Sequence, residues 1–465
     1  MQTSLMKERS IVASFEKFNF KSLDEIRSKV KELGVEINFS DDLSILSKPV
    51  KINNRMSPNS MAILPMEGCD SEPDGSPSEL VMRRYMRLAS GGAGLIWYEA
   101  CAVVEEGRAN PLQMYLTKSN ITEFAEMLKQ ANTAAANFHG SDHRPVNIIQ
   151  LTHSGRYSRP FDKPAPMVPQ HDPLLDPRVS LESNAPVLSD DYLDELVEKY
   201  VQSAILAKGA GFDGVDIKSC HRYLLSELLA SHTRTGKYGG SFENRTRFLL
   251  TTINEVRKAV GQDFIIATRF NVFDAHPYPY GWGVDLNDCW KPDLAEPIKL
   301  VELLVKNGID LLSNSSGNPY YRFPQVTRPF DLPTIGGETP DEHPLESVAR
   351  LFGFSRTIQK IAGAIPVIGN GYSWLRQFLP HAGAANLAKN WCKMVGIGRE
   401  AFAYPDAPKD ILTNGAMAPN KCCIACSKCT QIMRDYGRTG CVIKDSEVYM
   451  PLYNEARENA NLKHN

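Results

Sequence analysis

The sequence predicts an α/β fold: a closed (β/α)₈ TIM barrel followed by a C-terminal Cys-rich extension. Eight short apolar segments recur between Met61 and Ile397, and amphipathic helical segments lie between them. This alternation is typical of a parallel barrel surrounded by helices. The main alternative, a doubly wound open sheet, usually carries a Gly-rich turn after its first strand. No such turn follows the first candidate strand, Met61–Pro65.

The eight candidate strands share a short length, a high content of Ile, Val and Leu, and boundaries of Gly or polar residues. These properties are expected of parallel strands that are buried on both faces. The candidates are Met61–Pro65, Gly94–Glu99, Val146–Gln150, Asp213–Ile217, Phe264–Thr268, Ile309–Ser313, Ile365–Ile368 and Met394–Ile397.

Two of the intervening helices have clear signals. In Asp190–Lys208 the apolar residues recur at steps of three and four, so one face of the helix is apolar. Ser189 is the expected N-cap, and Gly209 is expected to end the helix. A second helix is predicted over Glu243–Val260, where Gly261 follows its last turn.

We expect three parts along the chain: an N-terminal extension (1–45), the barrel (46–410) and a cysteine-rich segment (411–465). Within the barrel part, residues 158–188 contain seven prolines, and the segment His276–Gly283 combines proline with aromatic residues. Proline is poorly accommodated in helices and central strands. Both segments are therefore predicted to be loops at the barrel mouth, where substrate contacts usually lie.

Composition excludes several classes of function. The formal net charge is -2, which gives no reason to expect nucleic acid or an anionic membrane as partner. No apolar run is long enough to span a bilayer, and the N-terminal residues lack the apolar core of a secretory signal. A cytoplasmic location is therefore expected.

Five of the ten cysteines lie between Cys422 and Cys441, in the pattern Cys423-x2-Cys426-x2-Cys429-x11-Cys441. Without an export signal, such a cluster indicates a metal site rather than disulfides. Four thiolates can hold a [4Fe–4S] cluster, and a Cys₄ zinc site is the alternative. Cys422 is a spare that could replace Cys423 as the first ligand.

Functional residues of a barrel lie where its strands end. Small and polar residues follow the candidate strands at Met66 and Glu67, Ala100, Gln150, Lys218–Tyr223, Arg269, Ser315–Gly317, Gly369–Gly371, and Gly398 with Arg399. The last two groups match the usual phosphate site of barrels. Glycine lets backbone N–H groups approach a phosphate, and arginine adds a bidentate clamp. Ordinary turn glycines are the alternative.

Several segments resemble successive blocks of the old yellow enzyme family, in the same order, over residues 48–405. They include VKINNRMSPNSMAILPM, IIQLTHSGRYS, GFDGVDIKSCHRYLLSELLASHTRTGKYGGSFENRTRF and VGIGRE. The third block is long and specific. The C-terminal cysteines resemble the iron–sulfur branch of the family, although that branch usually separates its second and third cysteines by three residues rather than two.

The resemblance implies FMN at the barrel mouth. Gln150 is expected to hydrogen-bond the pyrimidine edge of the ring, and Arg269 to face the part that becomes negative on reduction. Ala100 would let the ring lie close. The other residues expected in the cofactor site are Met66, Glu67, Gly369, Gly371, Gly398 and Arg399. The resemblance also implies that Cys423, Cys426, Cys429 and Cys441 bind a [4Fe–4S] cluster.

The expected catalytic residues are Lys218, His221 and Tyr223. His221 could donate a hydrogen bond to a substrate carbonyl oxygen, and Tyr223 could deliver a proton as general acid. Lys218 departs from the common family pattern, so it could bind substrate or form a structural ion pair. Tyr321 is a possible second acid. Glu67 occupies the position at which many relatives have a residue that tunes the potential of the flavin.

These features predict an ene-reductase that acts on an α,β-unsaturated enone, enoate or enoyl thioester. The alternatives are an oxidative flavoenzyme that resembles trimethylamine dehydrogenase and a non-catalytic flavin/iron–sulfur electron-relay subunit. Electrons are expected from a ferredoxin-like protein, a partner flavoprotein or NAD(P)H. Homo-oligomerisation stays an open possibility.

Overall fold

The computed structural model describes residues 15–321 and 324–464, and its central feature is a closed barrel of eight parallel strands. The strands in chain order are β1 (Val50–Ile52), β2 (Arg55–Ser57), β3 (Met61–Ile63), β4 (Leu95–Ala102), β5 (Val146–Thr152), β6 (Gly214–Ile217), β7 (Ile265–Phe273), β8 (Leu311–Ser316), β9 (Val367–Gly369) and β10 (Met394–Ile397). Strands β3 to β10 form the barrel in sequence order, and β10 pairs with β3 to close it. Strands β1 and β2 form a separate antiparallel pair.

All eight predicted barrel strands are confirmed, but five continue further than the sequence indicated. Strands β4, β5, β7 and β8 extend two or more residues past their predicted ends, and β9 extends one residue. Pairing between β4 and β5 resumes after a register shift at Tyr98/Ala100, and β7 pairs with β8 as far as Phe273. Ala100, Arg269, Ser315 and Gly369 therefore lie within strands rather than after them. The β1–β2 pair was not predicted.

The helices alternate with the barrel strands. They are α1 (Leu23–Glu32), α2 (Glu79–Ser90), α3 (Ile121–His139), α4 (Asp190–Ala210), α5 (Leu224–Leu229), α6 (Phe242–Val260), α7 (Ala295–Lys306), α8 (Pro324–Thr327), α9 (Pro344–Ala362), α10 (Leu379–Ala388), α11 (Arg399–Ala403), α12 (Ala407–Asn414), α13 (Lys428–Arg434) and α14 (Ser446–His464). Short 3₁₀ segments lie at Ser44–Ser47, Glu105–Gly107, Gly155–Tyr157, Asp176–Val179 and Tyr372–Phe378. In the ranges that the structure describes, no helix combines the length and apolar character needed to cross a membrane.

The two predicted helices are α4 and α6. The Ser189 side chain accepts a hydrogen bond from Tyr192 N and caps α4, as expected. The predicted end at Gly209 is wrong, because the left-handed residue that stops the helix is Gly211, with φ of 100°. Glycine adopts this conformation without the steric cost that other residues meet.

The barrel has an inner and an outer apolar layer. The inner layer takes alternate residues from the strands, such as Leu95 and Trp97 of β4 and Val146 and Ile148 of β5. Ile52 of the β1–β2 pair is fully buried against this layer. The residues between them in sequence face the surrounding helices. This filling makes the barrel a packed core, so that ligands must bind at its end.

The cysteine-rich segment is held against the barrel by arginines of α2. Asp445 accepts two hydrogen bonds from Arg83, at 2.8 and 2.9 Å, and one from Arg87. Arg84 pairs with Asp70 and donates to the Thr439 carbonyl at 2.8 Å. The segment is thereby fixed to the loop that follows β3, at the carboxyl end of the barrel.

Replacing Asp445 with alanine tests this attachment. We expect the free energy of unfolding to fall by about 1–2 kcal/mol, because two partly solvated guanidinium groups lose a charged acceptor. Denaturant unfolding measures the change. Glu243→Ala, which breaks the exposed ion pair with Lys299, is the matched control and should leave stability unchanged. Equal unfolding midpoints for the two variants would contradict the proposed attachment.

Candidate functional site

Asp216, at the carboxyl end of β6, is a fully buried hydrogen-bond acceptor that joins three strands. Its carboxylate accepts from Gln150 Nε2 at 2.6 Å, Trp97 Nε1 at 3.0 Å and the Arg269 backbone N–H at 2.8 Å. Burial raises the pKa of Asp216 to about 7, against the opposing effect of the Gln150 hydrogen bond. Asp216 therefore fixes the positions of Gln150 and Arg269, and the sequence reasoning did not identify it.

The Arg269 guanidinium can donate more hydrogen bonds than it forms with the described residues. It donates to the Pro65 carbonyl at 3.2 Å, while its Nε is buried without a protein acceptor among the described residues. Burial lowers the pKa of Arg269 below its usual range. A buried guanidinium whose protein acceptor is only a carbonyl is suited to an anionic ligand.

A cleft of about 610 Å³, including open solvent, lies beside Arg269 at the carboxyl end of the barrel. Its lining includes Met66, Arg269, Arg328, Gly371, Gly398 and Arg399. Four of the expected cofactor residues besides Arg269 are thus brought together. Gly371 has φ of 94° and would crowd Leu351 if it carried a Cβ, so the position requires glycine.

Gly369 is outside this lining. A Cβ there would lie 3.0 Å from the Tyr372 hydroxyl and 3.1 Å from Cys392 Sγ, so packing explains the glycine. Ala100 is buried at the register shift of β4. The expected phosphate residues that meet in the cleft are Gly371, Gly398 and Arg399.

Arg328 is a third arginine in the cleft lining, and the sequence reasoning did not identify it. It donates to Ser427 Oγ at 3.3 Å and Thr430 Oγ1 at 3.2 Å, both in the cysteine-rich segment. Arg399 reaches the same Thr430 hydroxyl at 3.5 Å. Arg328 follows α8 in the long connection after β8, and only the closed fold brings this connection next to the carboxyl end of β10.

Lys218 forms a buried ion pair. Its Nζ lies 3.3 Å from Glu67 Oε2, and the Lys218 side chain is only 2% exposed. Gln113 Nε2 donates to the other Glu67 oxygen at 2.9 Å. Lys218 Nζ also lies 3.8 Å from the centre of the Tyr223 ring. Of the roles left open for Lys218, the ion pair is the arrangement present in the structure.

The Tyr223 hydroxyl lies 2.6 Å from the hydroxyl of Tyr320. Burial, and secondly the negative charge of Glu67, raises the pKa of Tyr223 well above its usual range. Tyr223 is buried, whereas Tyr320 is 37% exposed. The two hydroxyls therefore form a pair that joins buried Tyr223 to the partly exposed residue Tyr320.

Tyr321, the expected second acid, points elsewhere. Its ring packs against His276, with 5.2 Å between ring centres, and against the Arg178 guanidinium at 4.8 Å. The residue that meets Tyr223 is its neighbour Tyr320. The loose spacing after Gly317 could not distinguish two adjacent tyrosines whose side chains face different loops.

His221 lies on a tight turn after β6, with φ of 64°. Its backbone N–H donates to Asn271 Oδ1 at 3.1 Å, and its Nε2 is 2.9 Å from Ser315 Oγ. Burial, together with the positive charges of Arg269 and Lys218, lowers the pKa of His221 well below its usual range. The imidazole is therefore neutral and has a single N–H to donate.

Arg222 joins the same turn to both proline-rich loops. It is 1% exposed and adopts φ of 61°, an uncommon conformation for arginine. Its guanidinium donates to Asp172 at 3.3 Å, to Asp274 at 3.1 Å and to the Tyr280 carbonyl at 2.8 Å. The two predicted mouth loops thus meet at the turn that carries His221.

Four cysteines line a second cavity of about 370 Å³: Cys423, Cys426, Cys429 and Cys441. Cys422 is outside this lining, and its Sγ lies 3.5 Å from the Ala418 carbonyl. Across residues 15–321 and 324–464, no three His, Cys, Asp or Glu side chains form a group arranged for a single metal ion. These four thiols therefore border one cavity.

The cysteine cavity and the cleft share a wall. Arg399, Cys423 and Ala425 line both of them. A group in the cysteine cavity would therefore be next to a ligand in the cleft, separated by single side chains. Sequence spacing indicated both sites but could not indicate that they touch.

The sequence profile of the NADH:flavin oxidoreductase / NADH oxidase family matches residues 45–281. A NADH oxidase from Thermoanaerobacter brockii is 27% identical over 383 residues, which are 81% of this chain and 52% of the relative. A cinnamate reductase from Clostridium sporogenes is 25% identical over 429 residues, 87% of this chain and 58% of the relative. The chain spans about half the length of these curated relatives.

Among solved structures, a 2-naphthoyl-CoA reductase in complex with 2-naphthoyl-CoA superposes with a TM-score of 0.65. The match covers 84% of this chain and 55% of that protein, at 20% sequence identity. This likeness supports the barrel fold described above.

The ion pair between Lys218 and Glu67 can be tested by a double-mutant cycle. We expect Glu67→Gln to lower the free energy of unfolding by about 3 kcal/mol, because it leaves the buried Lys218 ammonium without a charged partner. Lys218→Met should lower it less, because Glu67 is partly exposed and keeps its hydrogen bond from Gln113. The double variant should recover part of the loss, with a coupling energy of about 1–3 kcal/mol. Denaturant unfolding of all four proteins gives this coupling. Strictly additive losses would show that the pair is not formed.

Asp216 should give the protein a pH-dependent stability. Its pKa of about 7 is above the unfolded value, so the native state binds the proton more tightly and stability falls as pH rises from about 4 to 7. Asp216→Asn cannot titrate. We therefore expect the stability of the wild type relative to this variant to decrease by up to about 4 kcal/mol across that range. Unfolding measured at several pH values checks this, and a constant difference would contradict it.

Proposed function

The chain belongs to the NADH:flavin oxidoreductase / NADH oxidase family, and from this premise we propose that it is an FMN-dependent ene-reductase. Its substrate would be an α,β-unsaturated carbonyl compound: an enone, enoate or enoyl thioester. The observation that carries the proposal is the buried, protonated Tyr223 hydroxyl, joined to Tyr320 at the carboxyl end of the barrel. The similarity to a cinnamate reductase supports a conjugated substrate.

The cleft residues fit FMN. Gln150 and Arg269 would hold the pyrimidine edge of the flavin, with Ala100 and Glu67 beside the ring. The phosphate would lie against Gly371, Gly398 and Arg399, next to Met66. The buried, unpartnered Nε atoms of Arg269 and Arg399 support an anionic ligand here. When bound, FMN supplies the hydride that the substrate accepts at its β-carbon.

The cysteine cavity fits a [4Fe–4S] cluster held by Cys423, Cys426, Cys429 and Cys441. The position of the Cys422 thiol, at the Ala418 carbonyl, supports Cys423 as the first ligand. Such a cluster supplies electrons one at a time. Its electron source would be NAD(P)H, a ferredoxin-like protein or a partner flavoprotein. We propose residues 411–465 as the segment that holds the cluster, 46–410 as the flavin-binding barrel, and the cytoplasm as its location.

His221 would bind the carbonyl oxygen of the substrate. Because its imidazole stays neutral, it can donate a hydrogen bond without giving up the proton. A fixed donor at this position stabilises the enolate-like charge that develops on the oxygen. The backbone bond to Asn271 and the contact with Ser315 hold the ring in place.

Tyr223 would deliver a proton to the α-carbon of the substrate. Its raised pKa keeps the phenol protonated at neutral pH, as a general acid requires. Tyr320, which is partly exposed, would return a proton from solvent through the 2.6 Å contact between the two hydroxyls. The Lys218–Glu67 pair packs against the Tyr223 ring and would hold its orientation.

The position of Lys218 favours reduction over amine oxidation. Its ammonium group lies against the Tyr223 ring, so this ring face is not open to a cationic amine substrate. An electron-relay subunit would need neither the His221 turn nor the paired tyrosines. These contacts make the ene-reductase the better-supported function.

Replacing Tyr223 with phenylalanine tests the proposed function. With the reduced flavoprotein mixed rapidly with cinnamate, an enone or an enoyl-CoA, we expect flavin reoxidation by the wild type with at least one of them. Tyr223→Phe should slow this by about 10²–10⁴-fold and keep the flavin. Tyr320→Phe should slow it less, and Tyr321→Phe is the matched control with wild-type rates. Equal rates for Tyr223→Phe and the wild type, or no reoxidation by any of the three, would refute the proposal.

A further inference from the structure

Arg328 connects the cleft with the cysteine cavity. It lines the cleft together with Gly371, Gly398 and Arg399. Its hydrogen bonds, however, go to Ser427 Oγ and Thr430 Oγ1 of the cysteine-rich segment. One guanidinium therefore faces a candidate phosphate site while it holds the loop that contributes the cysteine ligands.

The loop that Arg328 holds is strained. Ala425 and Ser427 have φ of 50° and 57°, in the left-handed region that residues with a Cβ rarely adopt. Such conformations persist only when the surrounding contacts enforce them. Ser427 directly follows Cys426, and Thr430 directly follows Cys429. The two hydroxyls that accept from Arg328 are thus placed to fix both cysteines.

Among the described residues, the hydrogen bonds of Arg328 go to neutral acceptors rather than to a carboxylate. Arg399 and Arg434 are neighbouring cations, and the hydrogen-bond acceptors of Arg328 are neutral hydroxyls. An anion in the cleft on one side, and thiolates of Cys423 and Cys429 on the other, would both stabilise the guanidinium.

We propose that Arg328 is a positioning residue that couples the two cofactor sites: a phosphate group bound in the cleft holds Arg328 where it fixes Ser427 and Thr430, and with them the cysteine loop. The inference rests on the proposed function, since it takes FMN and the cluster as the ligands. Coupling of this kind is reciprocal, so a filled cysteine cavity also strengthens phosphate binding. The chemistry recognised in the cleft is a phosphate monoester.

Iron release from the anaerobically isolated protein tests the coupling. A chelator is added under three conditions. The first has free FMN in excess, the second has inorganic phosphate alone, and the third has neither, after the flavin has been removed by dialysis. We expect FMN to slow iron release on the order of tenfold in the wild type, and phosphate alone to slow it less. In Arg328→Met the effect of FMN should disappear, and the Kd for FMN should rise.

Two further variants distinguish coupling of the two cofactor sites from the general effects of losing a positive charge or of partial unfolding. Thr430→Val removes an acceptor of Arg328 outside the cleft, and we expect it to reduce the effect of FMN on iron release. Arg434→Met is the matched control, because Arg434 donates to Thr334 Oγ1 and the Pro319 carbonyl instead. It should keep the wild-type response.

Three results would overturn the inference. The first is equal iron release with and without FMN in the wild type. The second is a wild-type effect of FMN on iron release in both Arg328→Met and Thr430→Val, and the third is an equal loss of that effect in Arg434→Met. Each of them can occur in a protein that holds both cofactors and reduces substrate, so the proposed function would stand. A protein that shows the coupling but reduces no conjugated substrate would refute the proposed function alone. Failure to take up both FMN and iron would overturn both.

Discussion

Positive charge at the carboxyl end of the barrel is the constraint on which the site depends. Arg269, Arg328 and Arg399 line one cleft, and their hydrogen bonds go to a backbone carbonyl and to hydroxyl groups. Removing a guanidinium from water without a charged acceptor is costly, and an anionic ligand offsets this cost. The fold therefore creates a site that favours an anionic ligand.

The neighbouring turn that carries His221 and Tyr223 is arranged in the opposite way. Lys218 is already paired with Glu67, and the ammonium also packs on the Tyr223 ring. This part of the site is close to neutral, which suits an uncharged carbonyl group and a phenol that must keep its proton. In the proposed function, anion binding and proton delivery would thus occupy separate parts of one barrel end.

The barrel could be predicted from sequence because its strands are apolar on both faces and its helices on one. Residues chosen for their place after these strands, such as Gly371 and Arg399, also come together as expected. Asp216 and Arg328 could not be found in this way. Asp216 is important because three strands meet at it, and Arg328 because a long connection returns to the cysteine loop. Such contacts depend on closure of the ring rather than on local pattern.

We expect a flavin and an iron–sulfur cluster to occupy the adjoining cavities that share Arg399 and Cys423. Anomalous diffraction at the iron edge, from crystals of the protein isolated without oxygen, tests it most directly. We expect one compact iron peak enclosed by Cys423, Cys426, Cys429 and Cys441, and planar density against Arg269 in the adjoining cleft. A zinc signal in place of iron, or a cleft without planar density in crystals grown with FMN, would contradict the account.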